Sequence, residues 1–304
     1  MSKPLRLGLS GSAFGSVMPA DILDALIAAV RQSKLPELDS RQKREMADFM
    51  RGVMRVMNSM DIDAMECYHS LLWDNDELSA ILLDKPKVEF WSVHAPYGRS
   101  SDPSSPNADI RRAAIKAYLH GVDLAKRLGA SVIVAHPGAN VEYDVPKQAR
   151  LEFAAETLKE IADKAGESGI RVAVEPLPKQ EAGNSLDEVL WIVEQIDRPN
   201  VGINFDVNHL FPPEDIPSLI RKAGDRIFSV HISDQDGQER HWLPFMGTLD
   251  WREILAAFIE VGYTGPLIYE THITEVKSHE DVGRIVVENY KRLITLAPDS
   301  CILS

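Results

Sequence analysis

One pattern runs the length of the chain: short, almost wholly apolar runs alternate with longer amphipathic stretches. The runs are Leu5–Ser10, Ile62–Cys67, Glu89–His94, Ser131–His136, Arg171–Glu175, Gly202–Asp206, Ile227–His231 and Leu267–Glu270. Several are continuous aliphatic or β-branched segments, such as Val132-Ile133-Val134, which is how parallel strands buried on both faces read. Between them, apolar residues recur at helical spacing. Ala108–Leu128 carries Ile110, Ala114, Ile115, Leu119, Val122 and Leu128, and Gly129 stops it. Arg150–Ala165, Asp187–Gln195 and Trp251–Val261 repeat the pattern, as does Glu280–Leu296 before Pro298. Eight strand–helix units predict a single (β/α)8 barrel over residues 1–304, since a doubly wound sheet usually has fewer strands. The first crossover is enlarged: Asp21–Gln32 and Arg41–Asn58 both read as helices, split by Lys34-Leu35-Pro36. Gly98–Asn107 reads as a loop after the third strand, either a substrate lid or a plain surface loop.

Composition narrows what such a barrel does. Thirty-three basic against 46 acidic residues leave a net charge of −13, which disfavours general binding to phosphate backbones. No apolar run is long enough to cross a bilayer, and Met1–Ala20 lacks the apolar region of a secretory signal, so a cytoplasmic location is expected. Two cysteines, Cys67 and Cys301, form no CxxC and no disulfide framework. Cys67 lies in an apolar stretch and reads as an inert core thiol. The oligomeric state is left open, a homo-oligomer included.

The chemistry gathers at the strand ends. His94 closes SVHAPYG, His136 sits in VIVAHPG, Glu175 in VAVEPLP, Asp206 and His209 in NFDVNHLF, His231 in SVHISD and Glu270 in IYETH. Taken singly, each is more often a hydrogen-bonded structural residue than a ligand. Six such ends are another matter, because a barrel turns them around one axis at its C-terminal mouth. Two Glu, one Asp and one His converging there repel unless a cation neutralises them. The N/O donor set suits Mn²⁺ first, with Co²⁺, Mg²⁺ and Zn²⁺ as alternatives.

With these residues in place, the chain resembles the xylose isomerase-like TIM-barrel superfamily, in its sugar (phosphate) isomerase/epimerase branch. The likeness runs from about Glu89 to Glu270. The stretch His241–Trp251 followed by Gly262–Pro266 resembles that family's segment between strands seven and eight. The resemblance implies that Glu175, Asp206, His231 and Glu270 bind one metal, with Glu175 and Glu270 also the acid/base pair. It further implies that His209 contacts substrate. His94, His136, Arg240 and His241 are the other substrate-binding candidates. Glu181 and Arg240 sit on loops from which they could reach the mouth, but each reads more readily as a solvated surface group. Asp234 in HISD either orients a ligand or caps a loop. One departure matters: the family has Pro-Gly-x-Gly where this chain has Pro244-Phe245-Met246-Gly247, and a bulky Phe245 is expected to reshape the pocket.

The expected activity is therefore a divalent-metal-dependent isomerase or epimerase of a ketose or keto-sugar, with no nucleic-acid or membrane partner. Proton removal beside a carbonyl also begins β-elimination, so a lyase or dehydratase acting on a keto-sugar or keto-glycoside is the first alternative. The second shares the fold: the apurinic endonucleases use three zinc ions, for which His94, His136, His209 and the Glu239-Arg240-His241 triplet are candidates. Gly8–Gly15 resembles a dinucleotide fingerprint only faintly, because its spacing is not G-x-G-x-x-G.

Overall fold

The computed structural model describes residues 5–32, 38–68, 74–178, 182–211 and 215–298. Eight parallel strands close a barrel in chain order, with the last hydrogen-bonded to the first. They are β1 (Leu7–Ser10), β2 (Ala64–Tyr68), β3 (Glu89–His94), β4 (Val132–Ala135), β5 (Arg171–Val174), β6 (Val201–Asp206), β7 (Ile227–Ile232) and β8 (Leu267–Tyr269). The helices are α1 (Ala20–Gln32), α2 (Ser40–Ser59), α3 (Asn75–Leu82), α4 (Ala108–Leu128), α5 (Lys147–Gly166), α6 (Leu186–Ile196), α7 (Ile216–Ala223), α8 (Trp251–Glu260) and α9 (His279–Ile294). The enlarged first crossover is real, and α1 and α2 both lie in it. Helices α3 and α7 are short, eight residues each, and their apolar stripes are too brief to stand out in the sequence. Among the described residues no helix is long and apolar enough to cross a membrane.

Local chemistry explains the boundaries. Helix α2 opens on a capping box, in which the Asp39 side chain accepts from the backbone and Gln42 reaches back to Asp39. Helix α4 ends on Gly129, whose φ of 71° is left-handed backbone that a residue without Cβ adopts freely. The apolar faces of the helices bury Leu124, Leu158, Ile192, Leu255 and Phe258 against the barrel.

The barrel interior changes character toward its C-terminal end, where Ser10, Glu66, Ser92, Asn204 and His231 are fully buried. The β1–β2 register sets Ser10 opposite Glu66, and the β2–β3 register sets Glu66 opposite Ser92. The ladders shift register between Met65 and Glu66 and between Ile203 and Asn204. Such bulges re-aim the side chains that follow them, and here those side chains belong to the polar layer.

The third βα loop, over residues 98–107, is not a plain surface loop. Ser101, Asp102, Ser104 and Ser105 are buried. Asp102 Oδ1 accepts from the Ser104 amide and hydroxyl at 2.8 Å each. Arg150 of α5, itself buried, donates from Nη2 to Ser104 Oγ at 2.8 Å and from Nη1 to the Val141 carbonyl at 3.1 Å. Thr157 Oγ1 donates to the Pro103 carbonyl at 3.0 Å. This knot ties the third loop to the fourth, so the stretch is a fastened part of the rim rather than a free lid.

Candidate metal centre

Strand geometry gathers the candidate residues at one mouth. His94 and Asp206 are the last residues of β3 and β6, and His231 is the last but one of β7. His136, Glu175 and Glu270 follow the ends of β4, β5 and β8 by one residue. At the centre is His231. Its Nδ1 lies 2.8 Å from Glu175 Oε1, 2.9 Å from Glu270 Oε2 and 3.6 Å from Asp206 Oδ2. Glu175, Asp206 and His231 are fully buried, and Glu270 is 9% exposed. Three carboxylates around one imidazole are the crowd that the strand ends predicted.

That crowd shifts the protonation of its members. Burial alone pulls His231 down, but Glu66, Glu270 and Glu175 together hold it well above the ordinary histidine value. Glu175 moves the opposite way: burial raises it, and the histidines His231, His136 and His94 hold it far below the usual carboxylate range. Glu270 follows Glu175, with burial overcome chiefly by His231. Without a cation, the imidazolium is what neutralises the carboxylates.

Two further groups of donors flank the centre. His94, His136 and Glu175 bring ligand atoms within 4.8 Å of one another, and so do His209, Glu239 and His241. The central group is not separate from the first of these, since Glu175, Asp206, His231 and Glu270 share Glu175 with it. In three of the flanking histidines Nδ1 donates to a backbone carbonyl: His94 to Ala95 at 2.9 Å, His209 to Pro176 at 2.9 Å and His241 to Glu270 at 3.2 Å. That bond fixes each ring and turns Nε2 into the mouth, as in histidines that hold metals or bind polar ligands. Burial lowers His94, but the Glu175 carboxylate more than reverses it and lifts the imidazole to about 9. His241 is likewise pushed up to about 9, burial being outweighed by Glu239 and Glu270. His136 donates from Nε2 to Glu175 Oε2 at 2.9 Å, yet burial keeps its proton affinity below the ordinary value.

The donors fit a divalent cation. Three carboxylate oxygens and one imidazole nitrogen form a hard N/O set. Asp206 Oδ2 is buried without a hydrogen-bond partner, while its other oxygen accepts from the Asn208 amide at 2.6 Å. A buried carboxylate oxygen without a hydrogen bond, in a cluster of donors, is the atom a cation would engage.

Other candidates lie elsewhere. The Arg240 guanidinium turns to Asp236, at 2.9 and 3.1 Å, and lies over the Trp242 ring, so it is not brought to the centre. Glu181 falls outside the described residues. Asp234 caps a loop: its carboxylate accepts from Gln235, Leu249 and Phe245 amides and from the Trp251 indole. Phe245 has a φ of 76°, left-handed backbone that a glycine adopts freely, and its ring packs under the Arg292 guanidinium at 3.8 Å. Gly247 is retained for a steric reason, since a Cβ there would lie 2.2 Å from the Gln235 carbonyl.

Four residues of the mouth were not legible as candidates. Glu66 accepts from His231 Nε2 at 3.1 Å, and Asn204 Nδ2 donates to Glu175 Oε1 at 3.0 Å. Tyr68 stacks on His94 with ring centroids 5.0 Å apart, and Tyr97 covers His136 at 4.4 Å. The available signal was a charged or amide side chain inside an otherwise apolar strand run, as in Ala64-Met65-Glu66-Cys67.

Residues 39–292 match the xylose isomerase-like TIM barrel family. The chain belongs to that family. Within it, the chain is 30% identical over 196 residues to an uncharacterized protein of Methanocaldococcus jannaschii, covering 62% of this chain and 66% of that one. It is 30% identical over 180 residues to the D-psicose 3-epimerase of Ruminiclostridium cellulolyticum, covering 56% and 59%. A 3-dehydroshikimate dehydratase of Pseudomonas putida is 31% identical over 158 residues, 49% of this chain and 24% of that one. The chain thus spans less than two thirds of the length of each of these three relatives. A solved D-tagatose 3-epimerase-like protein shares the fold at a TM-score of 0.70 and 22% identity, covering 96% of this chain and 99% of that one.

Proposed function

We propose that this barrel is a divalent-metal-dependent isomerase or epimerase that moves a proton on the carbon beside the carbonyl of a ketose or keto-sugar. One observation carries the reading: two carboxylates, Glu175 and Glu270, flank His231 at 2.8 and 2.9 Å at the bottom of a polar mouth. A cation held by Glu175, Asp206, His231 and Glu270, with manganese the first choice, would stabilise the negative charge that develops on the substrate oxygens. Glu175 and Glu270 then serve as the acid/base pair, one removing the proton and the other returning it. The two are unequal. Glu175 already takes contacts from His136, His231 and Asn204, whereas Glu270 retains some exposure and faces the mouth. His94, His136, His209 and His241 line the walls with nitrogens suited to sugar hydroxyls, and Tyr68 and Tyr97 offer ring faces above them.

Similarity to a D-psicose 3-epimerase supports this reading. Similarity to a dehydratase supports the β-elimination alternative, which needs the same base and an acid for the leaving group. A third reading has its own observation: the flanking groups around His94 and His241 could each hold a cation beside the central one, which is the requirement of a three-metal phosphodiester hydrolase. The net charge of −13 weighs against a DNA substrate.

The test is a screen of ketoses and keto-glycosides in D₂O with added Mn²⁺, read by loss of the substrate proton signal. Exchange is expected with at least one of them, and formation of an unsaturated product would select elimination. Cleavage of abasic DNA with no exchange on any sugar would overturn the proposal in favour of the hydrolase.

A further inference from the structure

We infer that Glu66 is the positioning carboxylate of the centre, fixing His231 so that its Nδ1, and not its Nε2, faces the ligand cluster. The inference rests on the metal-centre reading and deepens it. An imidazole presents two nitrogens on nearly opposite edges, and whichever is held by a partner decides which remains free. Glu66 Oε2 takes His231 Nε2 at 3.1 Å, leaving Nδ1 at 2.8 Å from Glu175 Oε1 and 2.9 Å from Glu270 Oε2. Asn204 Nδ2, 3.1 Å from Nδ1, donates instead to Glu175 Oε1 at 3.0 Å.

The fold is built to hold this carboxylate. The aligned registers of β1, β2 and β3 put a serine on each side of Glu66. Ser10 Oγ donates to Oε1 at 3.1 Å and Ser92 Oγ to Oε2 at 2.8 Å. The register shift immediately before Glu66 sets the pairing with Ser92. From there the side chain reaches across the barrel to β7, 165 residues along the chain, because β2 neighbours only β1 and β3. Glu66 and His231 are both fully buried, and among the described residues His231 is the only cationic group paired with Glu66. A buried carboxylate with one cationic partner is costly unless that partner requires it. A carboxylate behind a ligating imidazole both orients the ring and makes it a stronger donor, and its loss typically weakens metal binding about 10- to 100-fold.

The experiment compares wild-type protein and Glu66→Gln by titration with Mn²⁺ against a competing chelator, with thermal melting of both in the metal-free state. Glutamine keeps the size of the side chain and one acceptor oxygen but removes the charge. Mn²⁺ affinity is expected to fall about 10- to 100-fold while the metal-free melting temperature changes little. Wild-type affinity in Glu66→Gln would overturn the inference. If that variant does not fold, the Zn²⁺-loaded wild-type protein decides the matter through the ¹⁵N signals of His231. A proton on Nε2 with Nδ1 bound supports the assignment, and the reverse overturns it. Failure of the wild-type protein to bind Mn²⁺ or Zn²⁺ would instead refute the metal reading itself.

Discussion

Asp234→Asn is a one-atom change that should cost this barrel a large part of its stability. The Asp234 carboxylate is fully buried. Oδ1 accepts the amides of Gln235 at 2.9 Å and Leu249 at 3.3 Å. Oδ2 accepts the Phe245 amide at 2.8 Å and the Trp251 indole N–H at 2.9 Å. Four donors thus converge on two oxygens. Asparagine keeps one oxygen and presents an NH₂ group to the other two donors. Two buried N–H groups then lose their acceptor, at about 1–3 kcal/mol each, partly offset by removal of a buried charge. A net loss of about 2–4 kcal/mol follows, or roughly 3–6 °C in melting temperature for a chain of this size. The loop concerned carries Glu239 and His241, whereas the four proposed ligands of the centre stand at strand ends, so Mn²⁺ affinity should change little. Thermal melting and Mn²⁺ titration of the variant read both quantities. A melting temperature equal to wild type would refute the account of Asp234 as the hub of this loop. A drop in metal affinity without a drop in melting temperature would make it a ligand-orienting group instead.

Chelation should abolish turnover, and added Mn²⁺ should restore it; full activity in rigorously metal-free protein would remove the cation from the mechanism. Elemental analysis after mild removal of loose ions should find about one metal per chain, as a single Lewis-acid site requires, and about three would favour the hydrolase. Glu175→Gln and Glu270→Gln should each cut proton exchange by roughly three orders of magnitude or more, since each removes a base and a ligand charge together. Near-normal exchange in either would show that the bases are misassigned. Burial pushes the Cys67 thiol up to about 12, so in a Cys301→Ser background the native protein should resist a thiol reagent at pH 8 and react only when denatured.

The barrel, and the gathering of His, Asp and Glu at its strand ends, were legible because both are written as local patterns. An apolar run followed by His or Glu places that residue at a mouth as soon as eight strands close. Glu66, Asn204 and the two serines were not legible, because their meaning depends on register across non-consecutive segments. A carboxylate inside Ala64–Tyr68 signals trouble in the sequence, but only the closed barrel supplies His231 opposite it. Phe245 shows the converse. Its bulk suggested an altered pocket, whereas the structure shows left-handed backbone and a half-buried ring that takes the Arg292 guanidinium as its neighbour. For Asp234 the two readings were both open, and only the convergence of four donors separates them. Gly98–Asn107 looked like loop composition, and what fastens it is Arg150, more than forty residues downstream.

That fastening has a thermodynamic consequence. The knot of Asp102, Ser104 and Arg150 holds the loops that follow His94 and His136, so their arrangement is fixed when the chain folds. A ligand arriving on this side of the mouth meets walls already in position, and little chain entropy remains to be lost on binding. Contacts made there should register mainly as favourable enthalpy with a small heat-capacity change.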